Sequence, residues 1–189
     1  MNVLLEIKNL KTYFRSNNSV NKEYTIKAVD GVSFSVNEGE IFGIVGESGS
    51  GKTVTAQSVV KLLPEPTGRI ISGEIIYKGK DILKTSGEEL RKLRGKAIAY
   101  MFQEPYTSLN PVLNVEEQIV EVIITHLNKS YDEACNMAVE ILEKMGIKEA
   151  SKRIKDYPHM FSGGMRQRIA LAMALAANPS LLIADEPTT

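Results

Sequence analysis

Apolar residues follow different rhythms along the chain. From residue 3 to residue 45 they come in short clusters separated by polar or glycine-containing breaks, the spacing of β-strands. Leu5, Ile7 and Leu10 mark one strand. Residues 24–29 and 32–36 predict two more, with Asp30-Gly31 as a turn between them and a polar loop at 16–19. Asn37-Glu38-Gly39-Glu40 reads as a second turn. The unbroken apolar run Ile41-Phe42-Gly43-Ile44-Val45 then predicts a buried strand, and 54–63 a helix. Pro64-Glu65-Pro66-Thr67-Gly68 breaks that helix. A strand at 70–77, a turn at Lys78-Gly79-Lys80-Asp81, a short charged helix at 87–94 and a second buried strand at 97–102 follow.

The period then changes. Val115, Ile119, Val122 and Ile123 recur at helical spacing over 115–127, as do Ala134, Val139, Leu142 and Met145 over 131–145, with Gly146 as the C-cap. This predicts a helical lobe at about 110–160, inserted into a β/α core made of 1–109 and 161–189. After the lobe, 164–177 reads as a helix rich in small residues, ended by Asn178-Pro179-Ser180. A last strand, 181–186, leads into two carboxylates. The fold class is α/β, with antiparallel β structure at the N-terminus.

A chain of 189 residues suits one domain, or one domain with a lobe. Lys and Arg together number 23, as do Asp and Glu, so nothing global points to nucleic acid or an anionic membrane surface. Cys135 is the only cysteine, which excludes an internal disulfide and a cysteine metal cluster; in its helical pattern it reads as a small apolar residue. The longest membrane candidate, 169–177, is about half of the ~18 residues a span needs. The first eight residues alternate with charge and form no signal peptide. Work at a membrane would therefore run through partner subunits.

Candidate chemistry centres on Gly46-Glu47-Ser48-Gly49-Ser50-Gly51-Lys52-Thr53, which fits the phosphate-loop pattern G-x-x-x-x-G-K-[ST] between a predicted strand and a predicted helix. The glycines let successive amides point inward as an anion nest, Lys52 reaches outer phosphates, Thr53 offers a hydroxyl to Mg²⁺, and a helix start adds its dipole. A ligand-free Gly/Ser turn is the alternative. Asp185 and Glu186 end the last strand, where parallel sheets bind ligands; Asp185 would hold Mg²⁺ through water, and Glu186 would orient or deprotonate an attacking water.

With these in place, Phe161-Ser162-Gly163-Gly164-Met165-Arg166-Gln167-Arg168 resembles the signature motif of ABC-family ATPases, with Phe and Met where Leu and Gln are commonest. Phe102-Gln103-Glu104-Pro105 resembles that family's glutamine loop, and Asp185-Glu186-Pro187-Thr188-Thr189 its second acidic motif. The four motifs in order span nearly the whole chain. The resemblance implies a P-loop NTPase core that binds ATP with Mg²⁺. Gln103 would sense the γ-phosphate and touch the metal. Ser162 can N-cap the following helix, so that its hydroxyl and the Gly163 and Gly164 amides, with Met165 next, meet a nucleotide on a second subunit. Two chains would thus sandwich the nucleotides head to tail. An aromatic ring stacks on the adenine in this family; Phe14 is the best match by position and Tyr13 the second, and strand alternation puts only one of them on the ligand side.

The segments 103–111 and 157–168 look like the oligopeptide/dipeptide/nickel importer branch, and His159 belongs to that pattern rather than to a metal site. His126 reads as a half-exposed helix residue. The branch implies an ATPase subunit, peripheral at the cytoplasmic face of the membrane. It would drive two transmembrane permease subunits, with an extracytoplasmic solute-binding protein engaged indirectly. A soluble ABC-type ATPase not coupled to transport is the alternative. The family also implies an aspartate loop, a further strand and a switch histidine beyond Thr189. The expectation is therefore a C-terminally truncated domain that binds ATP with little or no turnover and exposes an apolar surface or sheet edge.

Overall fold

The computed structural model describes residues 2–15, 24–103 and 108–187. The predicted polar loop at 16–19, residues 104 and 105 of the predicted glutamine loop with the next two of the importer-like segment 103–111, and Thr188 and Thr189 lie outside them. The chain divides into two compact units, Met1–Leu90 and Arg91–Thr189.

The first unit is built on a four-stranded antiparallel sheet in the order β2-β1-β3-β4, from β1 (Val3–Arg15), β2 (Tyr24–Asn37), β3 (Gly68–Tyr77) and β4 (Lys80–Asp81). Helix α1 (Lys52–Val59) belongs to it, and α2 (Gly87–Leu93) runs across the division at Leu90. Leu10 and Ile75 have no exposed surface, and Ile7 and Ile82 almost none, so the sheet's apolar side forms the core of this unit. The predicted turn at Asp30-Gly31 is instead a bulge inside one continuous strand. Gly31 sits at φ +89° where the β1–β2 register slips between Leu10 and Lys11. A glycine in the left-handed region lets a strand take up an extra residue without reversing, which local composition does not distinguish from a turn. Lys78 (φ +47°) and Gly79 (φ +79°) do form the predicted tight turn, joining β3 to β4.

A bulge in β1 sets which side chains face inward. Asn9 takes φ +46°, donates its backbone N–H to Ser33 Oγ at 2.7 Å, and marks a slip in the pairing with both neighbouring strands. The buried set accordingly changes parity, from Leu5 and Ile7 to Leu10 and Thr12. Buried Thr12 meets α1, its hydroxyl sharing a 2.9 Å hydrogen bond with the Ser58 hydroxyl.

Residues 41–45 are not the buried strand their apolar run predicts. They join neither sheet, and Ile41 and Val45 are almost fully exposed. A parallel strand is held by ladder bonds from neighbours and by layers on both faces, neither of which a local hydrophobic run can supply. Within this run Phe42 stacks on Phe34 of β2, ring centroids 5.0 Å apart. Helix α1 also ends earlier than predicted, at Val59, followed by Lys61 in the left-handed region.

The second unit contains a parallel pair, β5 (Ile98–Met101) and β6 (Leu181–Ala184), with Ile98 opposite Leu181 and Met101 opposite Ala184. Its helices are α3 (Val115–Leu127), α4 (Tyr131–Lys144), α5 (Ala150–Arg153) and α6 (Gly163–Leu175). Both long helices of the predicted lobe start with a capping box. Asn114 and Glu117 satisfy each other's backbone N–H at the start of α3, and Ser130 and Glu133 do so for α4. Helix α4 ends as predicted, with Gly146 at φ +75°; its N–H bonds Glu143 O and that of Ile147 bonds Leu142 O, a Schellman closure. The periodic residues Val115, Ile119 and Ile123 of α3, Ala134, Ala138 and Leu142 of α4, and Ile169 and Ala172 of α6 pack into one apolar cluster. Cys135 packs partly buried against the same cluster.

Gln118 ties the segment before α3 to that helix. Its Oε1 accepts from Asn110 N–H at 2.8 Å, and its Nε2 donates to the carbonyls of Asn110, Leu113 and Asn114. The side chain is buried, so an apolar replacement strands several of these groups away from water. Gln118→Leu should lower unfolding stability by about 2–4 kcal/mol, read as a shift in the urea midpoint at constant slope.

Candidate functional site

The predicted site residues form two clusters, one in each unit. In the first, the loop from Gly46 to Gly51 runs directly into α1, whose first two residues are Lys52 and Thr53. The Lys52 ammonium folds back over the loop, donating to Gly46 O at 2.9 Å and Glu47 O at 3.0 Å. Gly51 is the N-cap residue, at φ +90° and ψ +9°, with no side chain to close the helix start and no acidic residue in the first turn. A Cβ at Gly51 would stand 2.3 Å from the Ala28 carbonyl oxygen of β2, so only glycine lets the loop press this closely on the strand. The result is an exposed turn of backbone with a helix dipole and an ammonium at one end, the chemistry of an anion site.

The two candidate aromatics of β1 are separated by strand phase. Tyr13 is committed to Asp30: its hydroxyl donates to Oδ1 at 2.6 Å, and the Lys27 ammonium lies 5.6 Å from its ring centroid. The Asp30 hydrogen bond holds the Tyr13 hydroxyl above its ordinary pKa, and the same bond holds the Asp30 carboxyl below its own. Phe14 lies two residues from Thr12, so strand alternation brings it to the side on which Thr12 meets α1. Its ring lies against Gly68, where an added Cβ would be 2.7 Å away.

The second cluster lies at the C-terminal end of the parallel pair. Strand β6 stops at Ala184, and the buried Asp185 accepts from Tyr100 Oη at 3.1 Å while its backbone N–H reaches Met101 O. Glu186 takes φ +47°, a conformation that costs a non-glycine residue about 1–3 kcal/mol and that gathers at functional sites. Its Oε2 accepts from Gln103 Nε2 at 2.6 Å, which brings together two predicted site residues 83 positions apart. Tyr100 is a member of this cluster that sequence reading missed; a phenol inside an otherwise apolar strand was its signal, since a buried Tyr hydroxyl seeks a partner.

The signature segment sits at the start of α6. Ser162 is its N-cap and accepts from Met165 N–H at 3.4 Å, while Ser162, Gly163 and Gly164 are all exposed. The helix begins at Gly163, one residue earlier than predicted, and has no acid in its first turn. Gln167 donates from Nε2 to the Pro187 carbonyl, tying α6 to the residues after the two carboxylates. His159 stacks on Tyr157, and His126 is half-buried on α3, its pKa drawn down by burial and by Lys96.

Among the described residues no cluster of three or more His, Cys, Asp or Glu side chains could hold a metal ion by itself. The donors present instead suit Mg²⁺, which binds through one or two carboxylates and a hydroxyl together with substrate phosphates. Taken separately, the anion-binding loop and the Thr53 hydroxyl of the first unit, and the Asp185 carboxylate of the second, are donors of the kind that group takes. Among the same residues no helix is long and apolar enough to cross a membrane.

Close packing at Gly51 is directly testable. Gly51→Ala should destabilise the chain by about 2–4 kcal/mol, because the left-handed backbone and the Ala28 carbonyl both oppose a Cβ. Gly49→Ala, at φ +78° but with nothing within 4 Å, should cost about 1 kcal/mol in the same denaturation experiment.

The same chain is matched from residue 29 to residue 189 by a family model described as "ABC transporter". It is 50% identical over 186 residues to the oligopeptide transport ATP-binding protein OppD of Bacillus subtilis, covering 98% of this chain and 51% of that protein. It is 45% identical to the dipeptide transport ATP-binding protein DppD of the same organism, over all of this chain and 55% of that one. The chain thus spans about half the length of the curated relatives it matches. Among solved structures, the dimeric post-hydrolysis state of the ATP-binding cassette MJ0796, bound to ADP and Pi, superposes with a TM-score of 0.83 at 28% identity, over 98% of this chain and 75% of that one. A family match over most of its length, on a fold shared with an ATP-binding cassette, places the chain in the ABC transporter family.

Proposed function

We propose that the chain is the nucleotide-handling part of an ATPase subunit that powers import of oligopeptides, dipeptides or a related solute through partner membrane subunits. The observation that carries the hydrolytic reading is the Gln103–Glu186 contact at 2.6 Å, with Glu186 on a strained backbone beside a fixed Asp185. The cargo class rests on the peptide-transport relatives.

In this reading the amides of Gly46 to Thr53 and the Lys52 ammonium bind the ATP phosphates, Lys52 exchanging its loop carbonyls for phosphate oxygens. Thr53, Gln103 and Asp185 would hold Mg²⁺, which when bound would offset the negative charge of the phosphates. Tyr100 fixes the Asp185 carboxylate through its 3.1 Å hydrogen bond. Glu186 orients the attacking water or takes its proton, and Gln103 holds Glu186 in place until nucleotide draws the amide away. Phe14 is the adenine-stacking ring, because Tyr13 is already engaged by Asp30. Ser162, Gly163, Gly164 and Met165 present an exposed helix N-terminus to the nucleotide of a second ATP-binding subunit. The β/α core comprises 1–109 and 161–189, with the helical lobe at about 110–160. The whole subunit sits peripherally at the cytoplasmic face of the membrane on two permease subunits, which a solute-binding protein supplies.

A second reading concerns the chain taken alone: a module that binds nucleotide with little turnover. The exposed, unpaired run at 41–45 favours it, because the residues that lead into the phosphate loop are not anchored in a sheet.

The assigned base is tested in the full-length subunit within its transporter. Glu186→Gln should reduce steady-state ATP hydrolysis at least about a hundredfold while leaving ATP binding intact. Unchanged turnover would remove Glu186 from the reaction.

A further inference from the structure

Arg153, the last residue of α5, is the hub of a contact set that no motif predicts. Its guanidinium carbon lies 4.3 Å from the Phe161 ring centroid. Nε donates to Asp156 Oδ2 at 3.2 Å, one Nη lies 3.7 Å from Met165 Sδ, and the other reaches Met160 O at 3.4 Å. The side chain is only partly exposed, and Phe161 is buried in the helical cluster. Phe161 and Met165 are the residues immediately before and three after the N-cap Ser162. They are also the two positions at which this signature segment carries a different residue from the commonest ones.

We propose that Arg153 is a positioning residue for the signature segment, holding Phe161 and Met165 so that Ser162 and the amides of Gly163 and Gly164 stay turned outward. This rests on the signature role assigned above. The physical reason is planarity. One guanidinium stacks on a ring while its edge donors engage a carboxylate, a carbonyl and a thioether, whereas a lysine ammonium matches the charge but not the fork or the face. Asp156 balances the cation beside a helix start, where a bare positive charge is unfavourable. Entry to α6 is thereby fixed from both sides of its cap. This replaces the usual staple between the residue before the cap and the fourth helical residue, a position held here by Arg166.

The test uses the full-length subunit in its assembled transporter, with kcat and KM for ATP measured separately and folding checked by the thermal midpoint. Arg153→Lys and Arg153→Met should each lower kcat about fivefold or more, with KM changed less than about twofold, because the phosphate loop is untouched. In a background carrying Phe161→Leu and Met165→Gln, the same Arg153 changes should cost less than half as much, since the ring and the thioether through which Arg153 reaches the cap are gone while its bonds to Asp156 and Met160 O remain. Lys152→Gln, whose ion pair with Glu149 is exposed, should leave kcat unchanged. Wild-type kcat in folded Arg153→Lys and Arg153→Met, alongside a collapse in Ser162→Ala, would overturn the positioning role and leave the signature reading standing. An equal Arg153 effect in both backgrounds would also overturn it. Wild-type kcat in Ser162→Ala would remove the signature reading, and the Arg153 proposal with it.

Discussion

The candidate nucleotide loop depends on one close approach, the contact of Gly51 with the Ala28 carbonyl of β2. It fixes the left-handed residue at which the loop turns into α1, and so the direction of the helix dipole and of the first-turn amides. Lys52 follows immediately and spans the loop through two carbonyls. On the sheet side, the bulge at Asn9 turns Thr12 toward Ser58 of α1. Strand register and loop geometry are therefore one arrangement: a slip in β1 would carry the wrong side chains to the helix.

The second unit meets a different constraint, that of holding two carboxylates together at the end of a short strand. Asp185 is kept in place by the Tyr100 hydroxyl and by a backbone bond to Met101, while the chain turns through a strained Glu186 to meet Gln103. Rigidity comes from the apolar cluster of α3, α4 and α6, so the exposed start of α6 is presented from a packed base. Arg153 extends that base to the two residues flanking the cap.

Much of this was legible in the sequence because the deciding signals are local. The phosphate-loop pattern, the 3.6-residue repeats of α3 and α4, the Gly146 closure and the N-cap at Ser162 each depend on a few neighbouring residues. What escaped depends on partners distant in the chain. The run 41–45 has a strand's composition but no ladder partner. Asp30-Gly31 has a turn's composition but sits within a paired strand, where it becomes a bulge. Tyr13 and Phe14 could not be separated until the Asn9 bulge set the phase of β1. Tyr100 and Arg153 lie outside every motif; a phenol in an apolar strand hints at the first, but only tertiary contact names the partners of either.

The central claim is that the loop from Gly46 to Thr53 is a working phosphate site in this chain. Its most direct test is equilibrium binding of Mg-ATP to the chain, by calorimetry at fixed ionic strength, with Lys52→Ala beside it. Saturable binding of one nucleotide per chain, weakened about tenfold or more by loss of the ammonium, is the predicted result. Equal affinity in the two proteins, or no binding by a chain shown to be folded, would contradict it.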